Sequence, residues 1–149
     1  MTPSSPPSPV LPLSLSALRR DIDSPAGRIS LYSAGPQDQT RGLPPLLLVH
    51  SINAAASAAE IAPLFEHYRQ QRPVYALELP GFGFSDRSAR PYTPRLMTDA
   101  LHAALAVMKS EQGAAAADVL AVSLSSEFAA RAKCEAPQTI RRIALVSPT

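Results

Sequence analysis

The sequence predicts an α/β fold, in which a mostly parallel sheet is covered by helices on both faces. Runs of consecutive apolar residues, such as Leu46 to Val49 and Val119 to Val122, are typical of strands buried on both faces. Segments with apolar residues at helical spacing lie between these runs, so strand and helix alternate along the chain. Strands joined through helices pair in parallel, and sites in such folds lie at the carboxyl ends of the strands.

The first half of the pattern begins at Leu18 with a predicted hairpin. Two strand-like runs, LRRDID and RISLYS, are joined by SPAG, in which Pro25 and Gly27 suit a tight turn. The buried strand PPLLLVH follows. The next segment, ASAAEIAPLFEHYRQQ, predicts a helix because its larger apolar residues share one helical face: Ile61, Leu64, Phe65 and Tyr68.

The second half repeats the alternation of strand and helix. A strand VYALEL leads into a long loop from Pro80 to Thr93 and then an alanine-rich helix from about Pro94 to Gln112, which Gly113 can terminate. Strand DVLAVS, helix LSSEFAARAKCEA and strand IALVS complete the chain. In a parallel sheet this order brings three parts of the chain to one edge: His50, Leu79 to Ser85, and Ser123.

The first 17 residues, MTPSSPPSPVLPLSLSA, have a composition that neither packs nor forms helix. We expect residues 1–17 to be a disordered tail and residues 18–149 to form the folded part. An export signal is not expected, because Arg19 and Arg20 follow the apolar segment instead of preceding it. The single Cys134 also favours a reducing compartment, so a cytoplasmic location is the expectation.

Composition and spacing argue against several classes of function. The net charge is only +2 and no basic run exceeds two residues, so neither nucleic acid nor a membrane is an expected partner. No Cys/His cluster has metal-ligand spacing. Gly81 and Gly83 do not continue into a dinucleotide-binding loop, since Asp86 occupies the sixth position and no helix follows. We therefore expect no metal and no cofactor.

Ser123 joins a strand to a helix with no loop between them. The surrounding residues, AVSLS, match the G-x-S-x-G turn with alanine and serine in place of the glycines. Such a turn exposes the serine hydroxyl and directs backbone N–H groups of the next helix, first that of Leu124, toward it. Serine is also a common helix N-cap, so this segment alone leaves a nucleophile and a cap as alternatives.

Between Leu18 and Thr149, three motifs in order along the chain and the final strand resemble those of the α/β-hydrolase superfamily. LLLVHSINAAAS resembles its third-strand signature, with Ser51 in place of glycine, and LELPGFGFSDR resembles its fourth-strand turn, with Glu78 where aspartate is more frequent. VLAVSLSSEFAARA then falls where the nucleophile turn belongs, and IRRIALVSPT resembles strand six. The resemblance implies an α/β-hydrolase-like sheet that is incomplete at the C-terminus.

The resemblance also implies roles for particular residues. Ser123 would be the nucleophile, the backbone N–H groups of Ile52 and Leu124 would form the oxyanion hole, and His50 would support the oxyanion loop without acting as base. The implied function is a serine hydrolase for a small ester or related acyl substrate. A serine instead of an aspartate at this position argues against dehalogenase or epoxide-hydrolase chemistry.

The triad acid and histidine of this superfamily follow the nucleophile in chain order. After Ser123 the sequence contains only the carboxylates Glu127 and Glu135 and no histidine. We therefore expect a truncated chain that is inactive alone; the alternative is a non-catalytic remnant or partner-binding module of the same fold. The apolar run from Ile143 to Ser147 would form an uncovered sheet edge, which predicts self-association.

Overall fold

The computed structural model describes residues 10–36 and 42–149, and it confirms the predicted fold class. The strands are β1 (Leu18–Ser24), β2 (Gly27–Ala34), β3 (Leu46–Val49), β4 (Val74–Glu78), β5 (Ala117–Val122) and β6 (Ile140–Val146). The α-helices are α1 (Ala62–Tyr68), α2 (Pro94–Gln112) and α3 (Ser125–Glu135), and 3₁₀ helices span Ala58–Ile61 and Pro137–Thr139.

The strands form one sheet in the order β1-β2-β4-β3-β5-β6. The predicted hairpin is confirmed: β1 and β2 pair antiparallel, and Ser24 lies opposite Gly27 at the turn. β2 is also antiparallel to β4, whereas β4, β3, β5 and β6 are mutually parallel. The carboxyl ends of these four parallel strands therefore lie next to one another, at the same end of the strands.

The core lies on both faces of the sheet. Leu47 and Val49 of β3 pack into a cluster with residues of α2 and α3. Their neighbours Leu46 and Leu48 pack into a second cluster with Phe65 of α1. Since successive side chains of a strand point to opposite faces, β3 needs apolar residues at every position, and its sequence LLLV meets that need.

The first predicted helix is divided in the structure. It begins as the 3₁₀ helix Ala58–Ile61 and continues as α1, with Pro63 in the first turn of α1. Proline lacks an N–H and its ring crowds the carbonyl four residues earlier, so Pro63 cannot lie inside one continuous α-helix. The second predicted helix is confirmed: Thr93 Oγ1 caps it at Leu96 N, and Gly113 ends it at φ +63°.

The N-terminal segment is ordered further back than expected. Leu15 is only 4% exposed, and Ser14 donates from its N–H to Tyr32 Oη and from its hydroxyl to the buried carboxylate of Glu78. Contacts with the folded part therefore extend back to Ser14, into the segment that was expected to be a tail. Composition could not show this, because these contacts join residues far apart in the sequence. Residues 1–9 of the expected tail lie outside the described residues.

β6 lies at one edge of the sheet, and among the described strands its one partner is β5. Its residues Leu145 and Val146 are 45% and 41% exposed. The uncovered edge was expected from the sequence, and self-association through it stays a prediction. Within the described ranges, no helix combines the length and apolar character needed to cross a membrane.

Candidate active site

The junction between β5 and α3 is a tight turn with an unusual backbone at Ser123. β5 ends at Val122, α3 begins at Ser125, and Ser123 has φ +55°, in the left-handed region that L residues rarely adopt. Main-chain hydrogen bonds hold the turn: Ser123 N donates to Val146 O at 2.9 Å, and Ser126 N donates to Ser123 O at 3.0 Å. The half-buried Ser123 hydroxyl has no hydrogen-bond partner among the described residues.

Ser123 is not the N-cap of α3. The cap position falls on Leu124, which makes no side-chain capping hydrogen bond. A capping serine normally has an extended backbone and accepts an N–H of the first helical turn on its oxygen. Ser123 has neither property, so the capping interpretation that the sequence left open does not describe this junction.

The residues that replace the two glycines of the turn are accommodated locally. Ala121 is fully buried within the sheet, where its methyl group is the only added volume. Ser125 is also fully buried, and its hydroxyl donates to the carbonyl of His50 at 2.5 Å. The second replacement therefore adds a hydrogen bond between the start of α3 and the end of β3.

His50 ties together the ends of β3 and β4. Its Nδ1–H donates to Ser51 O at 2.7 Å, and its Nε2 accepts from Leu79 N–H at 3.0 Å. Burial is the largest influence on the ring and lowers the pKa of His50, although the hydrogen bond to Ser51 opposes this effect. Both ring nitrogens are occupied in a neutral imidazole, so His50 has no nitrogen free to act as a base.

Two residues with unpaired backbone N–H groups line one cavity. The N–H groups of Ile52 and Leu124 donate to no acceptor in the described part of the chain, and both residues line a cavity of about 520 Å³. Apolar side chains supply much of the remaining wall, including Phe82, Met97 and Phe128. The structure thus brings the loop after β3 and the junction after β5 to the same cavity.

The loop after β3 is held by a carboxylate that the sequence analysis did not single out. Glu60, on the 3₁₀ helix, accepts from Ser51 N–H at 2.6 Å and from Ser51 Oγ–H at 2.7 Å. Asn53 Nδ2 also donates to Ser51 Oγ, at 2.7 Å. In the sequence, the replacement of glycine by Ser51 was the one feature that could have pointed to such a carboxylate, because a hydroxyl that becomes buried needs a hydrogen-bond partner.

The turn after β4 is built around the buried carboxylate of Glu78. Glu78 accepts from Ser14 Oγ at 2.9 Å and from Phe84 N–H at 2.8 Å. Gly83 has φ +52°, and a Cβ added there would lie 2.0 Å from Glu78 Cδ. Only glycine fits at this position, which explains one of the two glycines in the LPGFG turn.

The closest histidine–carboxylate pair lies at the other end of the sheet. His102 Nε2 is 2.9 Å from Glu135 Oε2, and His102 lines a cavity together with Ala117 and Thr139, where β5 and β6 begin. Ser123 follows the opposite end of β5, about 20 Å away along the six residues of that strand. This pair cannot act on the Ser123 hydroxyl.

The remaining titratable groups form no metal site in the described ranges. His67 contacts Gln71 Nε2 at 3.1 Å on the exposed side of α1. Glu127 lines the cavity beside Leu124, and its carboxylate is bound by Arg131 at 2.8 Å. Among the residues that the structure describes, no three His, Cys, Asp or Glu side chains are grouped so as to hold a metal ion.

The sequence matches the alpha/beta hydrolase fold family over residues 44–149. The match covers well over half of the chain, and the sheet order and strand-end turns described above agree with it. The chain therefore belongs to the alpha/beta hydrolase fold family. A search of curated protein sequences finds no significant match.

Solved structures with a similar fold include enzymes of different specificities. The carboxylesterase CesB (YbfK) from Bacillus subtilis is 21% identical with a TM-score of 0.70, over 89% of this chain and 44% of its own. The haloalkane dehalogenase DbeA from Bradyrhizobium elkani is 20% identical (TM-score 0.72; 89% and 42%). An epoxide hydrolase from an endophytic Streptomyces is 23% identical (TM-score 0.66; 87% and 36%). The chain spans less than half the length of each, and these identities show the fold alone.

Proposed function

We propose that this chain is the N-terminal half of a serine hydrolase that acts on a small ester or related acyl substrate. One observation supports it most: Ser123, between β5 and α3, has a left-handed backbone, and its hydroxyl has no partner among the described residues. The left-handed backbone of Ser123, at φ +55°, costs about 1–2 kcal/mol. Ser123 does not cap α3, so helix capping does not explain this conformation. It is the backbone expected of a nucleophile turn.

In this proposal Ser123 Oγ attacks the acyl carbon, and the N–H groups of Ile52 and Leu124 bind the oxyanion that forms. A base removes the hydroxyl proton and returns it to the leaving alcohol; water then hydrolyses the acyl-enzyme in the same way. Both nitrogens of His50 are engaged, so the proposal requires an acid and a histidine beyond those of this chain. The 149-residue chain alone is then expected to be inactive.

Serine at the nucleophile position favours acyl substrates. The named relatives include a dehalogenase and an epoxide hydrolase as well as an esterase. A serine nucleophile forms an acyl ester that water can cleave at the carbonyl carbon, which suits esterase chemistry. The apolar cavity beside Ile52 and Leu124 offers space for the acyl or alcohol group.

The test uses the complete polypeptide that the gene encodes and a p-nitrophenyl ester of a short acyl chain. Ser123→Ala is expected to lower kcat by at least about 10⁴-fold, because the nucleophile is lost. Ser88→Ala is the matched control: Ser88 is an exposed serine in the loop between β4 and α2, and this variant should keep wild-type activity. Activity that survives Ser123→Ala would overturn the proposal. A wild-type protein without esterase activity would favour the non-catalytic, partner-binding alternative.

A further inference from the structure

We infer that Glu60 is a positioning residue: by holding Ser51, it directs the N–H of Ile52 toward the cavity that Ile52 and Leu124 line. The inference rests on the proposed function, in which this N–H binds the oxyanion. It concerns the one position of the oxyanion loop where the chain departs from the glycine of the family signature. Glu60 itself lies nine residues further along, on the 3₁₀ helix Ala58–Ile61.

Ser51 is anchored at each of its polar atoms. Its N–H and its hydroxyl donate to the two carboxylate oxygens of Glu60, at 2.6 and 2.7 Å. Its carbonyl accepts from Nδ1–H of His50 at 2.7 Å. Ser51 is only 5% exposed, so water cannot replace these partners freely. Hydrogen bonds to a carboxylate are shorter and stronger than those between neutral groups.

Fixing Ser51 also fixes the next N–H group. The peptide bond between Ser51 and Ile52 is trans, so the Ser51 carbonyl and the Ile52 N–H point in opposite directions within one rigid plane. His50 binds the carbonyl, and the Ile52 N–H, which points the opposite way, has no acceptor among the described residues. Ile52 itself lines the cavity. Glu60 stops this plane from rotating by binding the atoms that precede it.

Glu60 is suited to this role by its surroundings. Ser57 caps the 3₁₀ helix by accepting from Ala59 N–H at 3.2 Å, which fixes the turn that carries Glu60. In the described ranges Glu60 forms no ion pair, so its carboxylate serves Ser51 alone. Glu66, one helical segment later, has the ordinary role of a surface carboxylate and pairs with Arg69 at 3.1 Å.

The kinetic test compares Glu60→Ala, Glu60→Gln and Glu66→Ala in the complete polypeptide, with a p-nitrophenyl ester. Glu60→Ala should lower kcat by about 10- to 10²-fold with little change in KM, because a misplaced oxyanion donor weakens binding of the transition state. Glu60→Gln should recover most of the activity, since the amide can still accept from Ser51 N–H and donate to Ser51 Oγ. Glu66→Ala should match the wild type.

Ser51→Ala provides the same test if Glu60→Ala does not fold. It removes one of the two bonds to Glu60, so its loss of kcat should be smaller than that of Glu60→Ala and again without a change in KM. Wild-type kcat in both variants would overturn the inference. So would an equal loss in Glu60→Gln, because charge and not geometry would then be responsible.

A second readout is independent of activity. The residual dipolar coupling of the Ile52 N–H bond reports its direction, and we expect it to change in Glu60→Ala but not in Glu60→Gln or Glu66→Ala. Couplings of β3 and β5 amides should be the same in all four proteins. If the wild type lacks esterase activity, the proposed function fails and this coupling still decides whether Glu60 positions Ile52. An unchanged Ile52 coupling in Glu60→Ala would overturn the positioning role.

Discussion

The two ends of the parallel strands use carboxylates in different ways. At the amino end, Asp118 is bound by Arg72 and Arg141, both at 2.7 Å, and Glu135 is bound by Arg95 and His102. At the carboxyl end, Glu60 and Glu78 accept from backbone N–H groups and hydroxyls and form no ion pair in the described residues. The ion pairs at the amino end link neighbouring secondary-structure elements. The carboxylates at the carboxyl end, which accept from backbone N–H groups, instead hold the conformation of a loop.

Two glycines, one at each end, differ in how closely their surroundings pack against them. Gly83 at the carboxyl end and Gly113 at the amino end both have positive φ, at +52° and +63°. A Cβ at Gly113 would meet nothing within 4 Å, whereas a Cβ at Gly83 would overlap the carboxylate of Glu78. The turn after β4 therefore packs Gly83 closely against Glu78, whereas the end of α2 leaves space around Gly113.

Gly83→Ala should give the largest loss of stability. The left-handed backbone costs an alanine about 1 kcal/mol, and the overlap with Glu78 adds about 2 kcal/mol or more. Gly113→Ala carries only the backbone cost and is the matched control. Urea unfolding measures both; equal losses in the two variants would show that the turn around Glu78 relaxes and is not tightly held.

Asp118→Asn should lower the free energy of unfolding by about 2 kcal/mol at neutral pH, because it leaves Arg72 and Arg141 without their shared carboxylate. Glu135→Gln, at a more exposed ion pair, should have a smaller effect. The two losses are compared by urea unfolding. A larger loss from Glu135→Gln would contradict the account of the amino end.

The effect of Asp118→Asn should depend on pH. Burial raises the pKa of Asp118, but hydrogen bonds from Arg141 and Arg72 outweigh it and leave the pKa below its ordinary value of 3.8. A lowered folded-state pKa stabilises the fold above that ordinary value, and the stabilisation is lost as pH falls through the folded-state pKa. The difference between wild type and Asp118→Asn should therefore be constant from pH 7 to pH 5 and narrow below pH 4. If the difference in free energy of unfolding widened below pH 4, the pKa of Asp118 would be raised in the folded state, which would contradict this prediction.

Leu15→Ala tests whether the N-terminal segment belongs to the folded part. Leu15 is 4% exposed and packs with residues of α1, so its truncation should cost about 2 kcal/mol. Leu13, two residues earlier, is 59% exposed and gives the matched Leu13→Ala control, with almost no expected effect. Equal melting curves for the two variants would show that Leu15 adds nothing to stability, and would favour Leu18 as the start of the folded part.

The smallest effect concerns the two edges of the sheet. Light scattering of the 149-residue chain should show association that grows with concentration, and Leu145→Lys on β6 should weaken it. Leu18→Lys on β1, at the opposite edge, is the control, since Leu18 is also exposed. A chain that stays monomeric at all concentrations, or an effect only from Leu18→Lys, would contradict the role of β6.

Local patterns in the sequence predicted most of the fold. The apolar run of β3, the hairpin turn at Gly27 and the glycine that ends α2 each act over a few residues, so the sequence alone predicts them. At the site, the turn at Ser123 was predicted from its small neighbours. Contacts that depend on the folded chain were not predicted. The hydrogen bond from Ser14 to Glu78 spans 64 positions, and nothing in the sequence distinguishes Glu60 from other polar residues of a surface helix.

The central claim is that Ser123 is the nucleophile, and mapping a covalent adduct tests it most directly. The complete polypeptide is treated with a fluorophosphonate, digested with trypsin and sequenced by mass spectrometry. We predict one adduct, in the peptide from Ser110 to Arg131, with fragment ions that place it on Ser123 and not on Ser125 or Ser126. An adduct on another serine, or none on a protein that hydrolyses esters, would contradict the claim.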